Sequence, residues 1–153
     1  MSHDQPGLDQ STTPVVLLTG ASGYVGGRLL PLLEQQAVQV RCLARTPGSL
    51  RARTAASTSI VSGDVLDPDS LEPALNGVHT AYYLVHLMSG SDDFEAEDRT
   101  AAGHFASAAK RAGVQRIIYL GGLGDDADPQ LSAHLRSRHE VGEILRGTGV
   151  ETI

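Results

Sequence analysis

The sequence predicts an α/β fold: a doubly wound sheet of parallel strands with helices on both faces. Three observations predict it. Short apolar runs alternate with amphipathic stretches from Pro14 onward, and strands separated by helices pair in parallel through right-handed crossovers. The run Thr80 to Val85 (TAYYLV) is almost continuously apolar, as a strand covered on both faces requires. The first run passes directly through a glycine-spaced turn into an amphipathic stretch. The doubly wound rule then gives a strand order of 3-2-1-4-5, with a sixth strand just starting at the end.

The first strand is Val15 to Leu18, closing at Thr19. Gly20, Gly23 and Gly26 follow, and Val25, Leu29, Leu30 and Leu33 mark an amphipathic stretch, a helix in which Pro31 introduces a kink. Residues 38 to 45 (VQVRCLAR) alternate with the two-residue period of a strand. TPGSLRARTAAS is a loop with one helical turn, and Ser59 to Ser62 is a third short strand ended by Gly63-Asp64. DPDSLEPALNG is a helix with Asp67 or Asp69 as cap and Gly77 as stop. Thr80 to Val85 is the fourth strand. The longest helix covers about Asp93 to Ala112, with Phe94, Ala101, Phe105, Ala108 and Ala112 as its stripe. Arg116 to Leu120 is the fifth strand, and Ser132 to Arg146 the last helix. Tyr82, Tyr83 and Tyr119 sit in apolar strands and read as core. Asp92, Asp93, Glu95, Glu97 and Asp98 read as charge on a helix's first turns, complementing its dipole.

Strand, glycine turn and helix together are the context of a dinucleotide-binding fingerprint. Gly20 permits the tight turn, Gly23 lets the backbone approach a pyrophosphate, and Gly26 lets the helix pack on the strand. The amides from Ser22 through Tyr24 and Val25 then present an anion site at a helix N-terminus. An NAD-selective site places a carboxylate at the end of the second strand, about 20 residues after the turn. Here that stretch is Val40 to Arg45 and holds none. Arg45 offers instead a planar guanidinium suited to a 2′-phosphate, and Thr46 can add a hydroxyl. The expected cofactor is therefore NADP(H) rather than NAD(H). Asp64, at a strand's carboxyl end, stands where ligands bind in such sheets.

The chain carries a net charge of −6 and a pI of about 5.4, which argues against a nucleic-acid partner. No apolar run approaches the roughly 20 residues of a membrane helix. The opening MSHDQPGLDQSTTP lacks the basic and apolar regions of a secretory signal, and residues 1–13 read as a disordered lead. The single cysteine, Cys42, falls in a strand and suits a reducing cytoplasm. No His and carboxylate cluster has metal-ligand spacing, so no metal is expected.

TGASGYVG resembles the fingerprint of the short-chain dehydrogenase/reductase superfamily, and later segments resemble its NmrA-like, atypical NAD(P)H-binding group. The resemblance runs from about Pro14 to the last residue. It implies a Rossmann-like domain over residues 14–153, and an arginine at the place of Arg45 that marks NADP preference. It further implies that Asp64 and Val65 meet the adenine, and that His86 lies near the nicotinamide end. Relatives continue through another strand and a substrate-binding portion, so the chain is expected to be the N-terminal half of a longer protein and prone to self-association. The superfamily's Tyr-x-x-x-Lys pair and strand-end serine are replaced. His134 and Arg138 stand at that spacing, with Ser137 between them, and Leu120-Gly121-Gly122 ends the fifth strand. His134 is a candidate acid or base, with Arg138 and His86 as further catalytic candidates, His86 more for binding or shaping the cleft than for proton transfer; on a charged helix, His134 and His139 read foremost as solvated residues. Two functions remain open: an oxidoreductase-like domain acting on a small-molecule substrate, or a non-catalytic NADP(H)-sensing or partner-binding protein.

Overall fold

The computed structural model describes residues 12–87, 93–125 and 127–153. The expected lead thus lies almost wholly outside the described residues, as do Asp92 and Asp126. The elements run β1 (Val15–Thr19), α1 (Tyr24–Glu34), β2 (Gln39–Ala44), α2 (Gly48–Arg51), β3 (Ser59–Ser62), α3 (Pro68–Leu75), β4 (Val78–Tyr83), α4 (Phe94–Ala112), β5 (Arg116–Tyr119), α5 (Ala133–Arg146) and β6 (Glu151–Thr152). Among the described residues the strands form one parallel sheet, ordered β3-β2-β1-β4-β5-β6. This is the expected doubly wound, Rossmann-like order, with β6 added beside β5.

Each strand distributes its side chains to both faces, because successive residues point opposite ways. From β1, Leu17 enters the core formed with α3, α4 and α5, whereas Val16 and Leu18 enter the one beneath α1 and α2. From β2, Leu43 joins the first core, and Val40 and Cys42 the second. The Cys42 thiol is buried, and that burial pushes its pKa up to about 11. Phe105 of α4 and Tyr83 of β4 pack with ring centroids 4.8 Å apart at the centre of the first core. Asp67 caps α3, accepting from the Asp69 amide, and Ser132 caps α5, accepting from the Leu135 amide.

One boundary moves. The fourth strand is Val78–Tyr83, two residues earlier than its apolar run indicates. The Leu84 amide donates to the Thr19 hydroxyl at 3.0 Å instead of continuing the ladder, so the chain leaves the sheet there. Leu84, Val85 and His86 consequently lie beyond the carboxyl edge of the sheet.

Candidate functional site

The sheet order reverses at β1, and the crevice outside the carboxyl ends of the strands on either side is where such sheets hold ligands. A cleft of about 300 Å³ opens there. Its floor is the turn after β1. Gly20 adopts φ +73°, and a Cβ on it would lie 2.8 Å from the Leu84 carbonyl oxygen. A Cβ on Gly26 would lie 2.7 Å from the Gly20 carbonyl carbon and still closer to its oxygen, so only glycine lets α1 start against β1. Gly23 differs. Its backbone is extended (φ −78°, ψ 176°), and a Cβ there would meet only the Gly20 oxygen, at 3.3 Å. The space beside Gly23 therefore belongs to the cleft.

Gly23 has no side chain with which to cap α1, and the first turn of α1 contains no acidic residue. The opening amides of the helix are left for an anion. Ser22 and Gly23 line the cleft, whereas the side chains of Tyr24 and Val25 do not. The Tyr24 ring is exposed and stacks on Arg28, whose guanidinium carbon is 3.7 Å from the ring centroid. What Tyr24 and Val25 offer a ligand is backbone N–H. Thr19 is fully buried and clasps the turn to β4: its hydroxyl donates to the Tyr82 carbonyl at 2.8 Å and accepts from Leu84.

The exit of β2 supplies one wall. Arg45 and Thr46 line the cleft with Ser49. Arg45 is exposed and makes no ion pair among the described residues. The exit of β3 supplies the wall formed by Gly63, Asp64 and Val65. One oxygen of Asp64, Oδ1, accepts from the Leu66 amide at 2.9 Å, so the side chain shapes its own turn while facing the cleft region. Val65 is buried, 4% exposed, and offers an apolar surface.

His86 and Leu87 line the far end, where α5 comes close. The rings of His86 and His134 lie 6.5 Å apart, and Tyr119 lies 6.2 Å from His86 on another side. Phe94 flanks His134 at 6.3 Å. His134 is thus half-buried among rings rather than solvated, because α5 packs its first turns against α4 and the β4 exit. His139 is likewise half-buried, with Nε2 3.1 Å from the Gly122 carbonyl. Arg138 shares the region: its Nε is buried without a hydrogen-bond partner among the described residues, and its carbonyl accepts from the Tyr119 hydroxyl at 2.8 Å. Of the sequence-predicted trio, His86 lines the cleft that holds Gly20, Ser22, Gly23, Arg45, Asp64 and Val65, whereas His134 and Arg138 stand behind it beside His86, Arg138 lining a separate hollow with Gly122 and His139.

Asp98 is a correction. It is not surface charge on the first turns of α4 but is 4% exposed. Its Oδ1 accepts from the Leu87 amide and its Oδ2 from the Ser137 hydroxyl, each at 2.9 Å. The run of acidic neighbours hid this, since Asp98 alone among its described members is buried where α4 meets α5. Glu95, in the same run, is partly buried and lies 3.8 Å from Arg136 of α5.

Burial, and then the Arg138 charge, lower the His86 pKa to about 4; Asp98 raises it and His134 lowers it less strongly. The folded value lies below the ordinary 6.5, so the unfolded chain takes up the proton first as pH falls. His86 thus makes no difference to stability above about pH 6.5 and diminishes it progressively from there to about pH 4. His86→Asn should flatten that part of the stability–pH curve, as read from urea midpoints; an unchanged curve would show that His86 is solvated.

A larger hollow, about 620 Å³, lies between α3 and α4, lined by Asp69, Glu72, Asn76 and Arg111 among others. None of its lining residues is a glycine or directly follows the carboxyl end of a strand, so size does not make it the better site. Among the described residues no helix is long and apolar enough to cross a membrane.

Comparison with known proteins bears on the cleft. Residues 20–150 match the family described as NAD(P)H-binding. A 3 beta-hydroxysteroid dehydrogenase/Delta 5-->4-isomerase of Mycobacterium tuberculosis is 31% identical over 114 residues, covering 68% of this chain and 30% of that protein. An NAD(P)H azoreductase of Xenophilus azovorans is 25% identical, over 74% of this chain and 37% of its own length. In structure, the chain is similar to Citrobacter sp. triphenylmethane reductase complexed with NADP(H), with a TM-score of 0.76 at 22% identity over 90% of this chain and 47% of that one. Bordetella bronchiseptica WbmG in complex with NAD also scores 0.76, at 18% identity over 95% and 53%. The chain spans about a third of these curated relatives' length and about half that of the solved structures. With the match covering most of its length, and with the cleft at the strand ends, the chain belongs to the NAD(P)H-binding family and is an NAD(P)H-binding domain of Rossmann-like fold.

Proposed function

We propose that the cleft takes NADP(H) in preference to NAD(H), and that the domain serves an oxidoreductase acting on a small-molecule substrate. The observation that carries this reading is the open space at Gly23 in front of the α1 N-terminus, with the Arg45 side chain free at the rim. The pyrophosphate sits against the amides of Ser22, Tyr24 and Val25, the Gly23 amide being held by the Gly20 carbonyl at 3.0 Å, with Gly26 holding α1 in place behind them. The adenine lies by Asp64 and Val65, where the carboxylate accepts from its amino group. Arg45, aided by Thr46, meets the 2′-phosphate.

The bound cofactor supplies hydride chemistry. The chain's own residues at that end are His86, which is neutral near pH 7, and His134, the candidate proton donor or acceptor. Arg138 can hold a ribose or phosphate but cannot give up its proton. Relatives named reductases and dehydrogenases support the enzymatic reading over a purely sensing or partner-binding role. A buried, unreactive Cys42 supports a reducing, cytoplasmic setting.

Arg45→Ala tests the preference. Loss of one charge-assisted hydrogen-bond partner costs about 1.5–3 kcal/mol, so NADPH should bind roughly 10- to 150-fold more weakly. NADH should change little. Titration calorimetry giving equal losses for the two cofactors would remove Arg45 from the 2′-phosphate.

A further inference from the structure

Asp98 joins two segments that the sheet alone does not hold together. Leu87, whose amide it accepts from, is the neighbour of His86 on the β4 exit. Ser137, whose hydroxyl it accepts from, lies on α5 between His134 and Arg138. The position is in the interior: Ala101, Ala102 and Phe105, on the following turns of α4, are fully buried. An apolar side chain would fill such a place without the cost of desolvating a carboxylate. No Lys or Arg forms an ion pair with Asp98 among the described residues; its two oxygens are satisfied by a backbone amide and a serine instead.

Packing α4 on α5 does not depend on this residue. Arg99 and Glu140 join the same helices at the surface through two hydrogen bonds of 2.7 and 3.1 Å, and Val141 and Leu145 of α5 are buried in the shared core. What Asp98 adds is the link to the β4 exit. We propose that Asp98 is a positioning residue, holding the His86 segment against α5 so that His86, at the end of the cleft, stays beside His134 and Arg138. The inference rests on the reading of that cleft as the cofactor site only in naming what the group faces.

Three variants of the full chain separate this role from that of a mere charge. Asp98→Asn keeps both links, its amide oxygen accepting from Leu87 and its amide nitrogen donating to Ser137. Asp98→Ala removes both, and Ser137→Ala removes only the α5 anchor. The readout is the titration of the His86 imidazole by NMR, without cofactor. The groups facing it are Arg138 and His134 on α5, Asp98 on α4 and Tyr119 on β5. Wild type should titrate near 4, and Asp98→Asn at or below that value, since a charge favouring the imidazolium is gone. Asp98→Ala should titrate distinctly higher, toward the ordinary 6.5, because the freed segment admits water. Ser137→Ala should move the same way by less, and carries the test if Asp98→Ala does not fold. Equal midpoints in the Ala and Asn variants would overturn the proposal. NADPH fluorescence on the same proteins forms the second arm, with Asp98→Asn retaining affinity and Asp98→Ala losing at least about fivefold. Failure of NADPH to bind wild type would overturn the cofactor reading and leave the NMR result to decide this one.

Discussion

Gly23→Val is expected to abolish NADP(H) binding while the protein stays folded. The backbone at Gly23 is one that any residue adopts, and the new Cβ meets nothing nearer than the Gly20 oxygen at 3.3 Å. Its branches extend into the cleft in front of the α1 N-terminus, the space a pyrophosphate needs to reach the amides. Affinity should fall at least about 100-fold, ~2.7 kcal/mol. Stability should drop by only about 1 kcal/mol, for a poorer residue at the head of the helix. Cofactor fluorescence and circular dichroism on one sample check both halves. A folded variant with unchanged affinity would make the glycine turn purely structural.

Three residues along, a smaller change is expected to have the opposite balance. Gly26→Ala places a methyl group against the Gly20 carbonyl, and neither backbone can yield without moving β1 or α1. Overpacking a core by a methyl group ordinarily costs about 1–3 kcal/mol where side chains can adjust. Here the obstruction is backbone, so about 3 kcal/mol or more is expected, lowering Tm by roughly 10 °C. Cofactor binding should weaken as well, because the Gly20 turn that it displaces is the floor of the cleft. A thermal melt within a degree or two of wild type would show that α1 can slide to accept the Cβ.

The contrast between these glycines was legible in their spacing, because turn, strand end and helix start are local features. Arg45 and Asp64 were legible for the same reason: each directly follows a strand whose alternation marks its end. Contacts made across the fold were not. Thr19 reads as the last residue of a strand, and nothing nearby shows that its hydroxyl meets residues 63 and 65 positions away. Asp98 sits in a run of acids with which it shares composition but not environment; its partner Ser137 is 39 positions on. His134 reads as a charged helix's solvated residue until α5 is laid beside the β4 exit, where His86 waits. The end of β4 was misplaced by two residues because Leu84 and Val85 are as apolar as the strand itself. A hydrogen bond to Thr19, not a change in composition, ends it.

Binding of the cofactor in the cleft at the strand ends is tested most directly by amide chemical-shift mapping with NADP⁺. On titrating the cofactor into ¹⁵N-labelled protein, shifts should be concentrated at Gly20 to Val25, at Arg45 and Thr46, at Asp64 and Val65, and at His86. NADP⁺ should saturate them at lower concentration than NAD⁺. Shifts centred instead on Asp69, Glu72 and Arg111, beside the larger hollow between α3 and α4, or no saturable shifts at all, would contradict it.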